Sequence, residues 1–328
     1  MLLASRSLMR MLILSRNPAL YSTSRVVLSA RARGHDVSVI DPLDFQMVVS
    51  KGTPSLYVAG QPIPKYDLVL PRIGASITNF GLAVVRQFDM MGVPMLNGAV
   101  SIARSRDKLR ALQLLTQEGI DVPITVCARS PAGLDAALAE VGGCPAIVKL
   151  QQGTQGIGTM IADTPQAANA LLETFWAMGQ DIVLQEYIRE SKGRDVRAIV
   201  VGGEVIAAMR RVAKKGEFRA NLHRGGTATG LKLPKAYRDA AIRAAKSMGL
   251  EVAGVDMLEG KRGPKILEIN SSPGLEGIER ATGVDVAGAI IEYAERYARR
   301  HRNTTREKVR RRIQQSLKAE KKRDPSAD

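Results

Sequence analysis

Residues 252–274 place the tightest limit on what this chain can fold into. Val252-Ala253-Gly254-Val255-Asp256-Met257-Leu258 and Lys265-Ile266-Leu267-Glu268-Ile269-Asn270 read as two apolar strands. Between them, Glu259-Gly260-Lys261-Arg262-Gly263-Pro264 carries the Gly and Pro of a hairpin turn. A turn centred near residue 262 sets Asp256 opposite Glu268. Glu268 and Asn270 are two apart and leave the same face of their strand. Three oxygen donors therefore converge on one patch of an otherwise apolar sheet. Two carboxylates so placed repel each other unless a cation or a shared proton lies between them. Oxygen ligands that include a neutral carbonyl suit Mg²⁺ or Mn²⁺, completed by water and substrate phosphates. A lone D…E-x-N pattern is also that of an ordinary solvated hairpin face, so the rest of the chain decides.

A chain of 328 residues has room for two domains and an ample core. Aromatic residues make up 4%, too few for a reader that stacks nucleic-acid bases. No apolar run approaches the ~20 residues of a membrane-spanning helix. Cys127 and Cys144 cannot build a disulfide framework and fit a reducing compartment, so a cytoplasmic location is expected. His35, His223 and His301 are too scattered for zinc spacing. The net charge of +16 is uneven: residues 299–328 hold twelve Lys or Arg against four acids, half of the total excess. That stretch reads as an exposed helix running into a disordered end. Attraction to RNA or to an acidic protein, and simple solubilisation, are both open readings of it.

The first 35 residues contain six Arg and no acid, the superficial composition of a transit peptide. Met11-Leu12-Ile13-Leu14-Ser15 is instead a short buried strand, residues 22–33 are helical, and Gly34 ends the helix. Val37-Ser38-Val39-Ile40-Asp41 follows as a second strand, which makes a right-handed βαβ unit. Only residues 1–8 are surplus. The alternation continues through a strand at 66–72, a helix at 81–91 and a strand at 93–97, giving an open α/β domain over residues 9–103. A helix at 105–118 stops at Gly119, the C-cap position. A buried strand at 145–150, a helix at 163–178 with Pro165 in its first turn, and a strand at 182–188 follow. Strands at 195–201 and 204–211 pair across Gly202-Gly203, a helix covers 235–248, and a closing helix covers 284–299.

Upstream of the hairpin the chemistry accumulates. Gln151-Gln152-Gly153-Thr154-Gln155-Gly156-Ile157-Gly158 follows a strand ending in Lys149. Its glycines let backbone N–H groups approach anionic oxygens, although it matches neither a P-loop nor a dinucleotide fingerprint. A lysine ending an apolar strand needs an anionic partner, and a nucleotide phosphate would serve. Lys108 is a second candidate cation. Gln185-Glu186-Tyr187-Ile188 alternates polar acceptors with apolar neighbours and could meet the edges and faces of an adenine ring, or be a plain edge strand. Arg194, Asp195, Arg197, Arg210, Arg211, Arg219, Asn221, His223 and Arg224 concentrate cations and amides among flexible glycines. Bidentate arginines of this kind suit phosphates and carboxylates.

In this order, LSR…YS (14–22), LPRIG (70–74), ARSRDKLR (103–110), KLQQGTQGIG (149–158), QEYI (185–188), FRANLHRGG (218–226), AGVDML (253–258) and EINSSPGLEGIE (268–279) form a set. The set resembles the RimK branch of the ATP-grasp ligases. That branch is typified by the enzyme adding glutamate to the C-terminus of small-subunit ribosomal protein six. The resemblance runs from about residue 9 to about residue 298. It implies a pre-ATP-grasp α/β domain followed by a two-subdomain ATP-grasp fold, with the small subdomain at 104–188 and the large one at 189–298. It further implies ATP binding by Lys108, Lys149, Glu186, Tyr187, Asp195, Arg219, Ala220 and Asn221. Asp256, Glu268 and Asn270 match its ligands for two Mg²⁺ or Mn²⁺ ions. Arg197, Arg211 and Asn221 match positions that meet phosphate or carboxylate groups of the reacting species. Glutamate, an acidic ribosomal-protein C-terminus and a homo-oligomeric state, dimer or tetramer, are the partners it implies. Residues 1–8 and the basic tail from 299 lie outside its pattern.

Carboxylate–amine ligation fits these residues physically. A carboxylate is a poor acyl donor until ATP phosphorylates it; an amine then attacks the acylphosphate and releases phosphate. The demands are in-line positioning and offset of charge gathered between two anions, not a side-chain nucleophile. Two alternatives stay open: the same chemistry on a cofactor or carrier-protein acceptor, and a basic ribosome- or RNA-associated protein with a degenerate grasp fold.

Overall fold

The computed structural model describes residues 8–50, 54–128, 133–150, 158–180, 182–220 and 225–302. Strand β1 (Arg10–Leu14) has four consecutive buried apolar residues, so it has to be covered on both faces. Helix α1 (Tyr21–Ala32) covers one of them, and Gly34, at φ +88°, turns the chain back. Strand β2 (Asp36–Ile40) then lies parallel to β1, pairing Arg10 with Asp36 through Leu14 with Ile40. A small antiparallel sheet of β3 (Phe45–Val48), β4 (Ser55–Val58) and β5 (Gln61–Pro62) is inserted next, which the sequence pattern did not reveal. Strand β6 (Leu68–Pro71) returns parallel on the other side of β1, and helix α2 (Thr78–Met90) packs behind it.

Two expectations fail here for local reasons. The segment 93–97 makes only one parallel bridge, Val69 to Met95, because Asn97 enters the left-handed region at φ 75° and diverts the chain. The helix expected over 105–118 is two helices, α3 (Ala99–Arg106) and α4 (Lys108–Gln117). Asp107 is extended between them and its Oδ1 accepts from the Arg110 N–H at 3.0 Å, an N-cap that starts a new helix at Lys108. Gly119 ends α4 at φ +65° as expected.

The next unit is an antiparallel sheet in the order β7-β10-β8-β9. It comprises β7 (Thr125–Ala128), β8 (Ala146–Leu150), β9 (Thr159–Ala162) and β10 (Ile182–Glu186). Helices α5 (Leu134–Glu140) and α6 (Pro165–Ala177) cover one face, on a separate core that includes Leu138, Val148, Leu172 and Leu184. The second antiparallel sheet runs β13-β12-β11-β14-β15. Its strands are β11 (Arg194–Val201), β12 (Glu204–Val212), β13 (Thr227–Gly230), β14 (Val252–Gly260) and β15 (Gly263–Asn270). One face packs on α7 (Lys235–Met248) and α4 through Val196, Val255, Met257, Met248 and Leu115. The other face meets α8 (Glu276–Thr282), helix α9 at 286–302 and the first domain, so that Ile199, Met209, Met11, Ile13 and Leu70 share one core. Ion pairs reinforce that junction: Arg25 reaches Glu279 at 3.1 Å and Arg33 reaches Glu295 at 2.6 Å. The first domain is therefore continuous with the large sheet, whereas the small sheet keeps a core of its own.

Candidate active site

The hairpin β14–β15 closes with Gly260 paired to Gly263, so its loop is the two residues Lys261 and Arg262. That turn alone would set Asp256 opposite Leu267. The register shifts by one residue between Asp256 and Met257, and this bulge brings Asp256 opposite Glu268. The extra residue also explains how Ile266 and Ile269, three apart, both enter the core beneath α7. Glu268 and Asn270 are left on the opposite face with Asp256, where the Asn270 Nδ2 donates to Glu268 Oε1 at 3.1 Å.

Asp256 is 2% exposed and sits in a cage of guanidinium groups. Arg197 donates to it through Nε at 2.6 Å and Nη2 at 2.5 Å, and Arg211 through Nη2 at 3.0 Å. Arg211 also grips Asp195 with Nε at 2.6 Å and Nη2 at 2.7 Å. Burial would push the Asp256 carboxyl up, but Arg197 and Arg211 hold it well below the usual carboxylate range. Burial raises the carboxyl of Asp195 despite Arg211, while Asp256 and Asp195 raise Arg211 against its own desolvation. All four side chains leave the same sheet face, since β11 places Asp195 beside Arg211 and Arg197 beside Asp256.

The donor set fits a divalent cation. Among the described residues no cluster of three or more His, Cys, Asp or Glu could hold a metal, and this trio has two carboxylates and an amide. Three N–H donors occupy Asp256, which leaves one of its roughly four acceptor sites. Glu268 is exposed, and among the described residues its carboxylate meets only the Asn270 amide by hydrogen bond. Hard oxygen donors of this kind suit Mg²⁺ or Mn²⁺.

Lys149 lies near the end of β8, with its Nζ donating to Gln185 Oε1 at 2.6 Å. Gln185 Nε2 in turn donates to Thr125 Oγ1 at 2.8 Å, so a polar line crosses three strands on the face away from α5 and α6. Burial pushes the Lys149 ammonium down to about 8, with Glu268 opposing the shift and Lys108 adding to it. Burial also lowers Lys108 and Arg106, and Glu268 opposes both shifts. Three cations thus lie within electrostatic reach of one exposed carboxylate. Such a surplus is suited to a polyanion.

Glu186 is anchored differently. Its Oε2 accepts from the Ile124 N–H at 3.0 Å and lies 3.4 Å from Lys265 Nζ, which also reaches Asp121 at 3.1 Å. Tyr187 follows, partly buried, just past the end of β10, an interior strand of the small sheet. Arg219 grips Glu217 at 2.9 and 2.8 Å and holds it down to about 2, next to the buried Ala220. Asn221, His223, Arg224 and the glycine run 151–157 lie outside the described residues.

Sequence reasoning missed the residues that hold this face in place. Asn97 is 2% exposed; its Nδ2 donates to Val252 O at 2.7 Å and Ser271 O at 2.8 Å. Its Oδ1 accepts from Glu251 N at 2.8 Å and Val252 N at 3.1 Å, which ties both ends of the hairpin together. An Asn-Gly pair directly after an apolar run is the signal that could have marked it. Gln185 was visible only as part of QEYI, Lys265 only as the start of a strand, and Asp121 carried no signal.

No described helix is long and apolar enough to cross a membrane. Residues 9–102 match the RimK PreATP-grasp domain and residues 105–294 match the RimK-like ATP-grasp domain. The chain is 56% identical to a probable alpha-L-glutamate ligase 1 of Shewanella denitrificans over 290 residues, 88% of this chain and 98% of that one. It is 54% identical to a probable alpha-L-glutamate ligase of Azotobacter vinelandii, covering 88% and 96% respectively. Among solved structures, the ATP-grasp ligase PsnB complexed with precursor peptide PsnA2 and AMPPNP superposes with a TM-score of 0.70 at 24% identity, over 89% of this chain and all of that one.

Proposed function

This chain belongs to the RimK family of ATP-grasp ligases, and we propose that it adds glutamate to the C-terminal carboxylate of small-subunit ribosomal protein six. Its reaction class is ATP-dependent ligation of a carboxylate to an amine. The observation that carries the finer reading is the crowd of cations, Arg106, Lys108 and Lys149, in the field of Glu268. Such a set accommodates a triphosphate and a carboxylate together.

In this reading an oxygen of the acceptor carboxylate attacks the γ-phosphorus, and the bond to the β-bridging oxygen breaks to release ADP. The amine of glutamate then attacks the acyl carbon, loses a proton, and expels inorganic phosphate. Lys108 and Lys149 hold the phosphates. Glu186 and Tyr187 border the adenine, while Asp195, Arg219, Ala220 and Asn221 complete the nucleotide contacts. Arg197 and Arg211 offset charge that collects between the two anions, because guanidinium forks match both phosphate and carboxylate oxygens. Asp256, Glu268 and Asn270 would hold two Mg²⁺ or Mn²⁺ ions, which supply charge neutralisation at the phosphates. The sheets divide as pre-ATP-grasp domain, small subdomain and large subdomain, with α4 packed on the large one.

Twelve Lys or Arg in residues 299–328 give an electrostatic pull toward an acidic acceptor in the cytoplasm. The PsnB complex favours a peptide acceptor over a free cofactor, since that protein of the same fold was captured with a peptide. Intact-mass analysis of the ribosomal protein after incubation with ATP, Mg²⁺ and glutamate tests the proposal. Whole-glutamate mass increments on its C-terminus are expected. Increments on a cofactor alone would sink this acceptor while sparing the chemistry.

A further inference from the structure

Arg72 directly follows β6 in the LPRIG motif and has no acid to balance it among the described residues. Its Nη2 donates to the Pro273 carbonyl at 2.9 Å, and no carboxylate within the described residues pairs with it. Desolvation alone pushes its guanidinium down to about 10, yet the side chain keeps partial access to solvent. One residue along, the Ile73 carbonyl accepts from Arg106 Nη2, while Arg106 Nε is buried with no partner. Arg106 is also lowered by burial and feels a single acid, Glu268.

Both arginines therefore donate to backbone carbonyls around one junction, where the segment after β6 touches the loop that follows Asn270: Arg72 to Pro273 and Arg106 to Ile73. That loop folds back closely: Ser272 Oγ reaches Pro71 O at 3.5 Å, and a Cβ on Gly254 would come within 2.8 Å of Pro273. Buried cations are ordinarily paired, and leaving them unpaired is costly. Two arginines beside a ligase site, with no ion-pair partner among the described residues, are thus explained by an anion that arrives with the reaction. Lys108 and Lys149 approach from the seam of the two sheets, whereas Arg72 approaches from the first domain.

We infer that Arg72 and Arg106 form a carboxylate-binding site for the reacting amino acid or peptide, facing the phosphates across Glu268. The inference rests on the ligase reading and names which residues select its acidic substrate. Two sources carry the same chemistry, free glutamate and the C-terminal residue of the acceptor. A planar fork binds a carboxylate with two parallel N–H···O bonds, which a lysine cannot reproduce.

The test is calorimetric titration of the full chain, loaded with a non-hydrolysable ATP analogue. The ligands are L-glutamate and a peptide ending in glutamate, with its C-terminus free or amidated. Arg72→Gln and Arg106→Gln should each weaken one ligand about tenfold or more, and Arg72→Gln should leave the ATP analogue within about twofold. Arg72→Lys, which keeps the charge, should also weaken it, and it serves if the Gln variant fails to fold. Loss confined to glutamate assigns the incoming amino acid; loss confined to the free-acid peptide assigns the acceptor. Unchanged binding of both ligands, or an equal loss of the ATP analogue in Arg72→Gln, overturns the site. Absence of ATP turnover in the unmutated chain strikes the ligase reading itself, whereas normal turnover with unaffected variants strikes only this site.

Discussion

Asp256 and Glu268 carry the same charge on the same sheet face, yet their surroundings give them opposite mutational signatures. Asp256 is buried against Arg197 and Arg211, so Asp256→Asn strands two guanidinium groups. Breaking a buried pair in this way should cost about 3–5 kcal/mol, read from urea denaturation. Glu268 is exposed, so Glu268→Gln should change stability by no more than about 0.5 kcal/mol while ligation is lost. Near-normal turnover in that variant would refute its place at the phosphates. Lys149 gives a pH signature. Its folded value of about 8 lies below its ordinary 10.5, so between those values the folded chain binds fewer protons than the unfolded one. Burial therefore penalises stability below about pH 8, and the penalty fades as pH rises through this window. Phosphates favour the charged lysine, so ATP binding near pH 8.5 should take up about one proton. Calorimetry in buffers of different ionisation heat measures it, and the uptake should shrink in Lys149→Met.

At the scale of elements, a break and a bulge decide where the site residues go. Asp107 stops α3 and caps α4, and thereby fixes Lys108 at the first position of a helix. Asp107→Ala should cost about 1 kcal/mol of stability and raise the ATP concentration needed for half-maximal rate; an unchanged KM would separate the cap from Lys108. The sequence read as one helix there because Asp is tolerated inside a helical pattern, and its capping bond is invisible without coordinates. The bulge was hidden in another way. Counting from a turn centre at 262 pairs Asp256 with Glu268, but the real turn at 261–262 reaches that pairing only through an extra residue in β15. Period-2 spacing did show that Glu268 and Asn270 share a face. What it could not show is Ile266 and Ile269 entering one core, because alternation is what a bulge breaks.

Across the whole molecule, the order of elements was legible because apolar runs and glycine stops are local signals. The βαβ start, the helix at 235–248 and both hairpins stand where the pattern placed them. The hydrogen-bond partners were not legible: Gln185 behind Lys149, Asn97 behind the hairpin and Arg72 behind Pro273 join residues distant in sequence. Those contacts shape a seam where a self-contained small sheet faces a large sheet fused to the first domain. Such a seam is suited to closing on a nucleotide and keeping water from an activated acyl group. On the ligase chemistry proposed above, the seam transfers the γ-phosphoryl group to a carboxylate before the amine attacks. The most direct measurement uses an acceptor whose C-terminal carboxylate oxygens are labelled with ¹⁸O, with the released phosphate analysed by mass spectrometry. One labelled oxygen per phosphate is the expected result; phosphate that carries no label while glutamate is still added would contradict it.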